Sequence, residues 1–317
     1  LILGGGIGGV VAATTLRQIL PPEHRIVLVE HAPQHVFSPS LLWLMVGERR
    51  SRQISRTLSS LSRKGVELVA GTIESISPEN RAVRVAGRDL AADHMIVALG
   101  AELAPEAIPG LAQARLELKQ GRIVVLVAAL PFKCPAAPYE AALLLEADCR
   151  RRGVRDRVRI DIYTPEPGPM PVAGPEVSAQ LRAMVESRGI GYHPGRSATG
   201  VDPTARRIAF ADGAPADFDL LAYVPPHRAP AVVRASALAG KNGWVPVDPA
   251  TLQTRFPRVY AIGDVAEIML KMGKPLPKAG VFAHGEAEIV AHNVAAEIVG
   301  RAERRSFDGH GECFIEI

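Results

Sequence analysis

The sequence has few of the features that mark secreted or nucleic-acid-binding proteins. Only 3 of its 317 residues are cysteine, too few for a domain that depends on disulfides instead of a hydrophobic core. Aromatic residues make up 5%, and 37 basic and 33 acidic residues leave a net charge of only +4. Because base stacking needs aromatic side chains and phosphate binding needs a basic stripe, nucleic acid is not expected as a partner.

Long hydrophobic runs are also missing. The longest, 123–130, has the length of a strand, whereas a membrane-spanning helix needs about 20 apolar residues. The start of the chain lacks the pattern of a signal peptide. Histidine and cysteine never occur at the spacing of a zinc site, so no metal is expected. With 47% hydrophobic residues, the chain is long enough for two globular domains.

Two segments have the pattern strand, helix, strand. The first begins at residue 1, with a helix predicted for 10–20 and a strand for 25–30. The second begins at residue 122, with a helix predicted for 138–152 and a strand for 157–163. Further on, helices are predicted for 55–63 and 279–298. Two such units predict an α/β protein with tandem Rossmann-like dinucleotide-binding domains.

A glycine motif, Gly4-x-Gly6-x-x-Gly9, follows the first strand directly. Gly4 allows a tight turn, Gly6 lets the backbone approach a pyrophosphate, and Gly9 lets the helix pack on the strand. The helix N-terminus supplies N–H donors and a positive dipole end. Glu30 ends the next strand and can bind both ribose hydroxyls of an adenosine, which disfavours NADP. The alternative is a glycine-rich turn without a ligand.

A second acidic residue favours FAD over NAD. Gly263-Asp264 follows a strand predicted for 259–262. A carboxylate at the end of that strand can accept a hydrogen bond from a ribityl hydroxyl, which FAD has and NAD lacks. The alternative is that Asp264 is an ordinary helix N-cap.

The corresponding turn of the second unit, 127–135, contains no glycine. Side chains and proline would keep a pyrophosphate away, so a nicotinamide donor is not expected there. The turn presents Cys134 instead, next to Lys133 and ahead of a helix that begins near Pro138. A cation and a helix N-terminus both favour a thiolate. The alternative is a buried, inert cysteine, which is how we interpret Cys149.

Together, these motifs resemble the two-dinucleotide-binding-domain flavoproteins of the disulfide-reductase class, over essentially the whole chain. Longer stretches are similar to sulfide:quinone oxidoreductases and to the flavin subunit of flavocytochrome c sulfide dehydrogenase. These stretches are 37–47, the cysteine loop 132–140, 277–283 and 311–316. Many quinone-linked members carry a third redox cysteine before the second domain, and this sequence has none between Leu103 and Gln120.

The resemblance implies a discontinuous FAD domain formed by 1–102 and 242–295. A second Rossmann-like domain, 103–241, would carry the cysteine loop, and 296–317 would begin a C-terminal segment. The helix that begins after Lys278 would steady negative charge on reduced flavin, or it is a plain helix start. The expected FAD-binding residues are Gly4, Gly6, Ile7, Gly9, Glu30, Ser40, Ile73, Ala98, Gly100, Gly263, Asp264, Lys278, Ala279, Gly280 and Val281.

The resemblance also implies a chemistry. Cys134 and Cys313 would flank the flavin and hold a disulfide or polysulfur bridge. Sulfide would attack the bridge, and a thiolate would pass two electrons to the flavin and then to a quinone. Glu140 would relay protons, or it is an ordinary acid on a helix surface. The expected location is peripheral, at the cytoplasmic membrane of a prokaryote, and a homo-oligomer is left open.

Three other functions are open at this point. The chain could be the flavin subunit of a sulfide dehydrogenase that delivers electrons to a cytochrome. It could be a type II NADH:quinone dehydrogenase, against which the missing second glycine motif argues. It could also be a flavin redox sensor without turnover, whose cysteines do not react with sulfide.

Overall fold

The computed structural model describes residues 1–109, 120–312 and Ile315. The chain forms two compact units. Unit 1 consists of Leu1–Ser40, Arg50–Glu102 and Arg228–Glu312. Unit 2 consists of Leu41–Arg49, the described residues of Leu103–His227, and Ile315. Each unit contains a parallel sheet of its own.

The α-helices of the described residues differ widely in length. They are α1 (Ile7–Ile19), α2 (Leu41–Met45), α3 (Ser51–Ile54), α4 (Ala137–Arg151), α5 (Pro175–Ser187), α6 (Ala231–Arg234) and α7 (Gly280–Ile298). Short 3₁₀ helices lie at Ser38–Ser40, Leu58–Lys64, Pro78–Asn80, Pro105–Ala107, Arg155–Arg157 and Gly263–Val265.

The strands of the described residues are mostly short. They are β1 (Ile2–Leu3), β2 (Val27–Glu30), β3 (Gln34–Val36), β4 (Ser55–Thr57), β5 (Glu67–Ala70), β6 (Ile73–Ser77), β7 (Ala82–Val85), β8 (Arg88–Ala91), β9 (Met95–Val97), β10 (Glu102–Leu103), β11 (Gly121–Val127), β12 (Val158–Tyr163), β13 (Ile190–His193), β14 (Ala198–Asp202), β15 (Arg207–Phe210), β16 (Ala216–Asp217), β17 (Leu220–Val224), β18 (His227–Arg228), β19 (Val245–Pro246), β20 (Val259–Ala261) and β21 (Ala266–Glu267).

Unit 1 is organised around a five-stranded parallel sheet in the order β20-β9-β1-β2-β5. Its central strands are apolar and completely buried, as parallel strands covered on both faces must be. Helix α1 packs against α7, and the buried Ala12, Ala13 and Ala287 leave room for a close approach. Because the strands are parallel, the residues that follow β1, β2, β9 and β20 meet at one edge of the sheet.

Unit 2 has a four-stranded parallel sheet in the order β13-β12-β11-β17. The fully buried Tyr139 and Leu143 of α4 pack on Ile160 and Ile162 of β12. An antiparallel sheet, β14-β15-β16, packs Ile208 and its neighbours into a second cluster with Val124 and Leu126 of β11. The predicted α/β class with two Rossmann-like sheets is therefore confirmed.

The helix predicted for 55–63 is wrong. Residues 55–57 form β4, which pairs antiparallel with β3, and 58–64 form a 3₁₀ helix that ends at Gly65. Serine hydroxyls compete with helical hydrogen bonds for backbone groups, as the Ser60 hydroxyl does by donating to the carbonyl oxygen of Thr57. The sequence also did not reveal β16, which pairs antiparallel with β15. None of the described helices is both long and apolar enough to cross a bilayer.

A buried carboxylate ties α4 to its neighbours. Glu146 has no exposed surface, and its side chain is ion-paired with Arg150, with Arg155 at 3.1 Å and with Arg188 at 3.7 Å. Arg155 in turn donates to the carbonyl oxygens of Arg188 and Gly189 after α5. The position of α4, and so of the turn before it, depends on this group.

Glu146→Ala should therefore lower the free energy of unfolding by about 3 kcal/mol, because it leaves the largely buried guanidinium group of Arg155 without its carboxylate. Urea unfolding followed by circular dichroism measures the change. Glu176→Ala, on the exposed side of α5, is the control and should shift stability by no more than about 0.5 kcal/mol. Equal stability of the two variants would contradict this role of Glu146.

Candidate functional site

The glycine turn after β1 is shaped by backbone contacts that leave no room for side chains. A Cβ on Gly9 would lie 1.9 Å from the carbonyl oxygen of Gly4. A Cβ on Gly4, which has φ +103°, would lie 2.4 Å from the carbonyl oxygen of Ala98. A Cβ on Gly6 would meet no atom within 4 Å. Gly4 and Gly9 are therefore packing residues, whereas Gly6 faces open space.

That open space lies at the N-terminus of α1. Gly6 is the N-cap, and no side chain caps the helix there. The first intrahelical bond runs from Val10 N to Gly6 O, at 3.0 Å. The preceding N–H groups, including that of Ile7, and the positive end of the helix dipole suit an anionic group. A pyrophosphate fits this position.

Glu30 lies at the end of β2, beside the glycine turn. One carboxylate oxygen accepts from Gly5 N at 2.6 Å and the other from Ala32 N at 2.9 Å. The carboxylate borders a cavity of about 330 Å³ whose walls include Leu58 and Leu68. Apolar walls with one carboxylate at the rim suit a flat base and a ribose diol, as the sequence predicted for an adenosine.

Four further residues from the sequence prediction lie in unit 1. Ala98 and Gly100 follow β9, and Ala98 contacts the glycine turn through its carbonyl group. Ser40 is buried at the end of a 3₁₀ helix, where its N–H donates to Phe37 O. Ile73 begins β6 and is half-buried against the core of unit 1. Their contact with a cofactor stays a prediction.

The turn Gly263–Val265 follows β20 and carries Asp264. Gly263 has φ +69° and donates its N–H to a carboxylate oxygen of Glu286 at 2.5 Å. The ammonium group of Lys278 donates to the carbonyl oxygens of Asp264, at 2.6 Å, and Ala266, at 3.2 Å. It also lies 3.7 Å from the ring centre of Trp244. Buried charges therefore hold the turn from two sides.

The pKa values of these two charged groups are shifted by their surroundings. Burial lowers the pKa of Lys278 to about 8, and the acidic groups of Asp264, Glu267 and Glu286 oppose this shift. Burial raises the pKa of Glu286 to about 7, against the hydrogen bond from Gly263. The two groups therefore change charge much closer to neutrality than exposed lysine and glutamate do.

The start of α7 lies close to the start of α1. Ala279 is the N-cap, and a Cβ on Gly280 would meet the Ile7 side chain at 2.7 Å. The first turn of α7, which includes Val281, contains no acidic residue. Its N–H groups can therefore stabilise a negative charge, as expected for the segment 278–281.

Cys134 lies in unit 2, in the turn between β11 and α4. It is exposed and has φ +58°, a left-handed conformation that costs residues other than glycine about 1 kcal/mol. Its carbonyl oxygen accepts from Ala137 N, the first residue of α4, at 2.9 Å. Glu140 lies half-buried in the first turn of the same helix, whereas Cys149 is completely buried near its end. Cys313 lies outside the described residues.

A polar network fills the space beside this turn. Tyr139 in the first turn of α4 is completely buried, and its hydroxyl donates to Glu166 at 2.9 Å. Thr164, just after β12, donates to the same carboxylate oxygen at 3.3 Å. Burial raises the pKa of Glu166, opposed by these two hydrogen bonds. The end of β12, where a nucleotide-binding domain would hold a ribose, is closed by side chains.

Sequence reasoning missed Glu286, Trp244, Tyr139 and Glu166. A signal existed for Glu286, because it lies three residues after Ala283 and four before Val290, on the buried face of α7. The other contacts join residues that are distant in sequence, and no local pattern indicates them.

Comparison with known proteins identifies the family. The family model described as "Pyridine nucleotide-disulphide oxidoreductase" matches residues 1–287. The chain belongs to this family. The mitochondrial sulfide:quinone oxidoreductase of Mus musculus is 24% identical over 345 residues, covering 99% of this chain and 74% of the mouse protein. The demethylphylloquinone reductase NdbB of Synechocystis is 26% identical, covering 95% and 80%.

A solved structure agrees with these relatives. The sulfide:quinone oxidoreductase of Aquifex aeolicus has a TM-score of 0.85 at 22% identity, covering 96% of this chain and 77% of that one. The predicted resemblance to sulfide:quinone oxidoreductases is therefore confirmed. The family also confirms the chain as an FAD-dependent oxidoreductase, and the glycine turn, the 330 Å³ cavity and Glu30 fit that cofactor.

Two glycine substitutions should separate cofactor binding from folding. Gly6→Ala places a methyl group where a phosphate would lie, so we expect loss of FAD with stability changed by less than about 1 kcal/mol. Gly9→Ala forces a backbone clash, so we expect loss of both FAD and stability. FAD content is measured from the flavin absorbance of the purified protein at about 450 nm. Stability is measured by urea unfolding. A Gly6→Ala variant with full FAD content would contradict the phosphate assignment.

Proposed function

We propose that this protein oxidises sulfide and delivers the electrons through FAD to a quinone. The observation that carries the proposal is the turn before α4. It contains no glycine and presents an exposed Cys134 at the start of a helix. In a dinucleotide-binding domain that turn would hold a pyrophosphate. Here it offers a nucleophile in its place.

The surroundings of the turn argue against a nicotinamide donor. Residues 128–136 supply side chains and two prolines where a glycine motif would leave backbone exposed. Glu166 is 4% exposed and already accepts from Tyr139 and Thr164. Its burial therefore leaves it little access to a ribose. This favours sulfide over NADH as the electron donor.

The proposed chemistry uses Cys134 and Cys313 as a pair. Sulfide attacks one sulfur of the bridge that joins them, the S–S bond breaks, and one cysteine leaves as a thiolate while the other carries the added sulfur. The dipole of α4 and the neighbouring Lys133 favour the thiolate form of Cys134. Glu140, six residues further along the chain, would hold the proton that sulfide releases. FAD, when bound, supplies reversible two-electron chemistry.

The remaining sequence predictions belong to this proposal. The FAD domain would consist of 1–102 and 242–295, with 103–241 as the second domain and 296–317 as the start of a C-terminal segment. The FAD ligands would be those named from the sequence. The quinone implies a peripheral location at a prokaryotic cytoplasmic membrane. A cytochrome in place of the quinone is the second candidate for the acceptor.

Anaerobic titration of the purified holoprotein tests the donor. Sulfide should bleach the flavin band, whereas NADH should not, and addition of a short-chain quinone should restore the band. Restoration by cytochrome c but not by quinone would assign the chain to the sulfide dehydrogenase type. Bleaching by NADH alone would overturn the proposal in favour of a type II NADH dehydrogenase, and bleaching by neither would favour a redox sensor.

The cysteine variant Cys134→Ser should lose sulfide-driven flavin reduction by at least about 1,000-fold, because a hydroxyl is a far weaker nucleophile at neutral pH. The flavin should still be reduced by dithionite, which needs no cysteine. Cys149→Ala, which removes a buried thiol from the same helix, is the matched control and should react with sulfide like the wild type. Unchanged sulfide reactivity of Cys134→Ser would rule out the cysteine mechanism.

A further inference from the structure

The turn that carries Asp264 is held by two charged side chains, Lys278 and Glu286, and the proposed mechanism gives Glu286 no role. Glu286 is 2% exposed and accepts the N–H of Gly263, the residue that precedes Asp264. Lys278 donates to the carbonyl groups of Asp264 and Ala266. Every one of these contacts is made to the backbone of the turn. They fix the direction in which the Asp264 side chain leaves it.

Both charges are costly to bury, and each is compensated inside unit 1. The ammonium group of Lys278 stacks on Trp244, an interaction worth about 2 kcal/mol when the cation is desolvated. A cavity of about 10 Å³, roughly the least space that can hold one water molecule, is lined by Gly263, Lys278, Phe282 and Glu286 among others. The two charged groups therefore share one small polar space beneath the turn.

We propose that Lys278 and Glu286 are positioning residues, which hold the turn Gly263–Ala266 in the conformation that lets Asp264 bind FAD. We propose further that the hold is stronger when Glu286 is a carboxylate than when it carries a proton. The inference rests on the assignment of Asp264 to FAD, which belongs to the proposed function. Glu286 acts through the turn and does not need to touch the cofactor.

The charge dependence follows from the hydrogen bond to Gly263. A carboxylate accepts an N–H bond roughly twice as strongly as a neutral carboxyl does. With a pKa raised to about 7, Glu286 changes from mostly protonated at pH 6 to mostly ionised at pH 7.5. The hold on the turn should therefore strengthen as the pH rises through this range. Lys278, whose pKa is lowered to about 8, stays mostly charged over the same range.

Other ionisable side chains lie near Glu286, and two lie near the glycine turn, where His31 pairs with Glu30 and His35 is hydrogen-bonded to the carbonyl oxygen of Gly5. Glu286→Gln leaves both histidines in place. Asp264 in the turn raises the pKa of Glu286 and Lys278 lowers it. Glu267 of β21 acts on Lys278. The only charged residue of α1 is Arg17, ten residues beyond the start of that helix. The segment 307–311, which lies against Phe282 and Gly285, carries Asp308 and His310. On α7 itself, the neighbouring His284 and Glu288 are both exposed.

The test measures how fast the holoprotein releases FAD, from the rise of free-flavin fluorescence after dilution. At pH 7.5, Glu286→Ala and Lys278→Met should release FAD about tenfold faster than the wild type, since each removes a group that holds the turn. The wild type should release FAD several-fold faster at pH 6 than at pH 7.5. Glu286→Gln keeps an acceptor for Gly263 but cannot ionise, so its release rate should not change with pH.

Glu288→Gln is the matched control on the same helix, and its release rate should follow that of the wild type at both pH values. Circular dichroism verifies that each variant is folded. If Glu286→Ala releases FAD at the wild-type rate, Glu286 does not position the turn. An unchanged pH dependence in Glu286→Gln would overturn the role of its proton. If Asp264→Ala releases FAD at the wild-type rate, the assignment of Asp264 to FAD in the proposed function is refuted, whatever the result at Glu286.

Discussion

The candidate site of unit 1 depends on a close backbone contact. The first turn of α1 approaches β1 so closely that a methyl group on Gly9 would lie 1.9 Å from the carbonyl oxygen of Gly4. This approach aims the N-terminus of α1 along the edge of the sheet where the strands end. Glu30, Ala98 and Asp264 reach the same edge only because β2, β9 and β20 run parallel to β1. One backbone contact thus sets the geometry that all these residues share.

Unit 2 has a similar parallel sheet, but its turn between strand and helix is built differently. The turn between β11 and α4 is built from side chains, with Tyr139 buried beneath it and Cys134 exposed on it. Because the helix N-terminus is kept, the turn still favours a negative charge, which in the proposed function is a thiolate and not a phosphate. Under that proposal, one architecture would provide a nucleotide site in unit 1 and a nucleophile in unit 2.

Much of this arrangement could be predicted from the sequence, because it depends on short local patterns. The glycine turn, Glu30 and the Gly263-Asp264 dipeptide each lie next to a strand whose apolar pattern is unmistakable. The serine-rich segment 55–63 was assigned wrongly because its hydroxyl groups and its pairing with β3 outweigh its helical spacing. Contacts such as Lys278 on Trp244 and Tyr139 on Glu166 could not be predicted, since they join positions 34 and 27 residues apart.

The network of Tyr139, Thr164 and Glu166 has a consequence for what this end of the sheet can bind. Placing glycines in the turn before α4 would not by itself create a nucleotide site. The hydroxyl groups of Tyr139 and Thr164 would still donate hydrogen bonds to Glu166 near the end of β12. Removing the tyrosine alone would leave a buried acid without its donor, which is destabilising. A ribose could therefore bind at this end of the sheet only after several changes made together, in the turn and in the hydrogen bonds of Glu166.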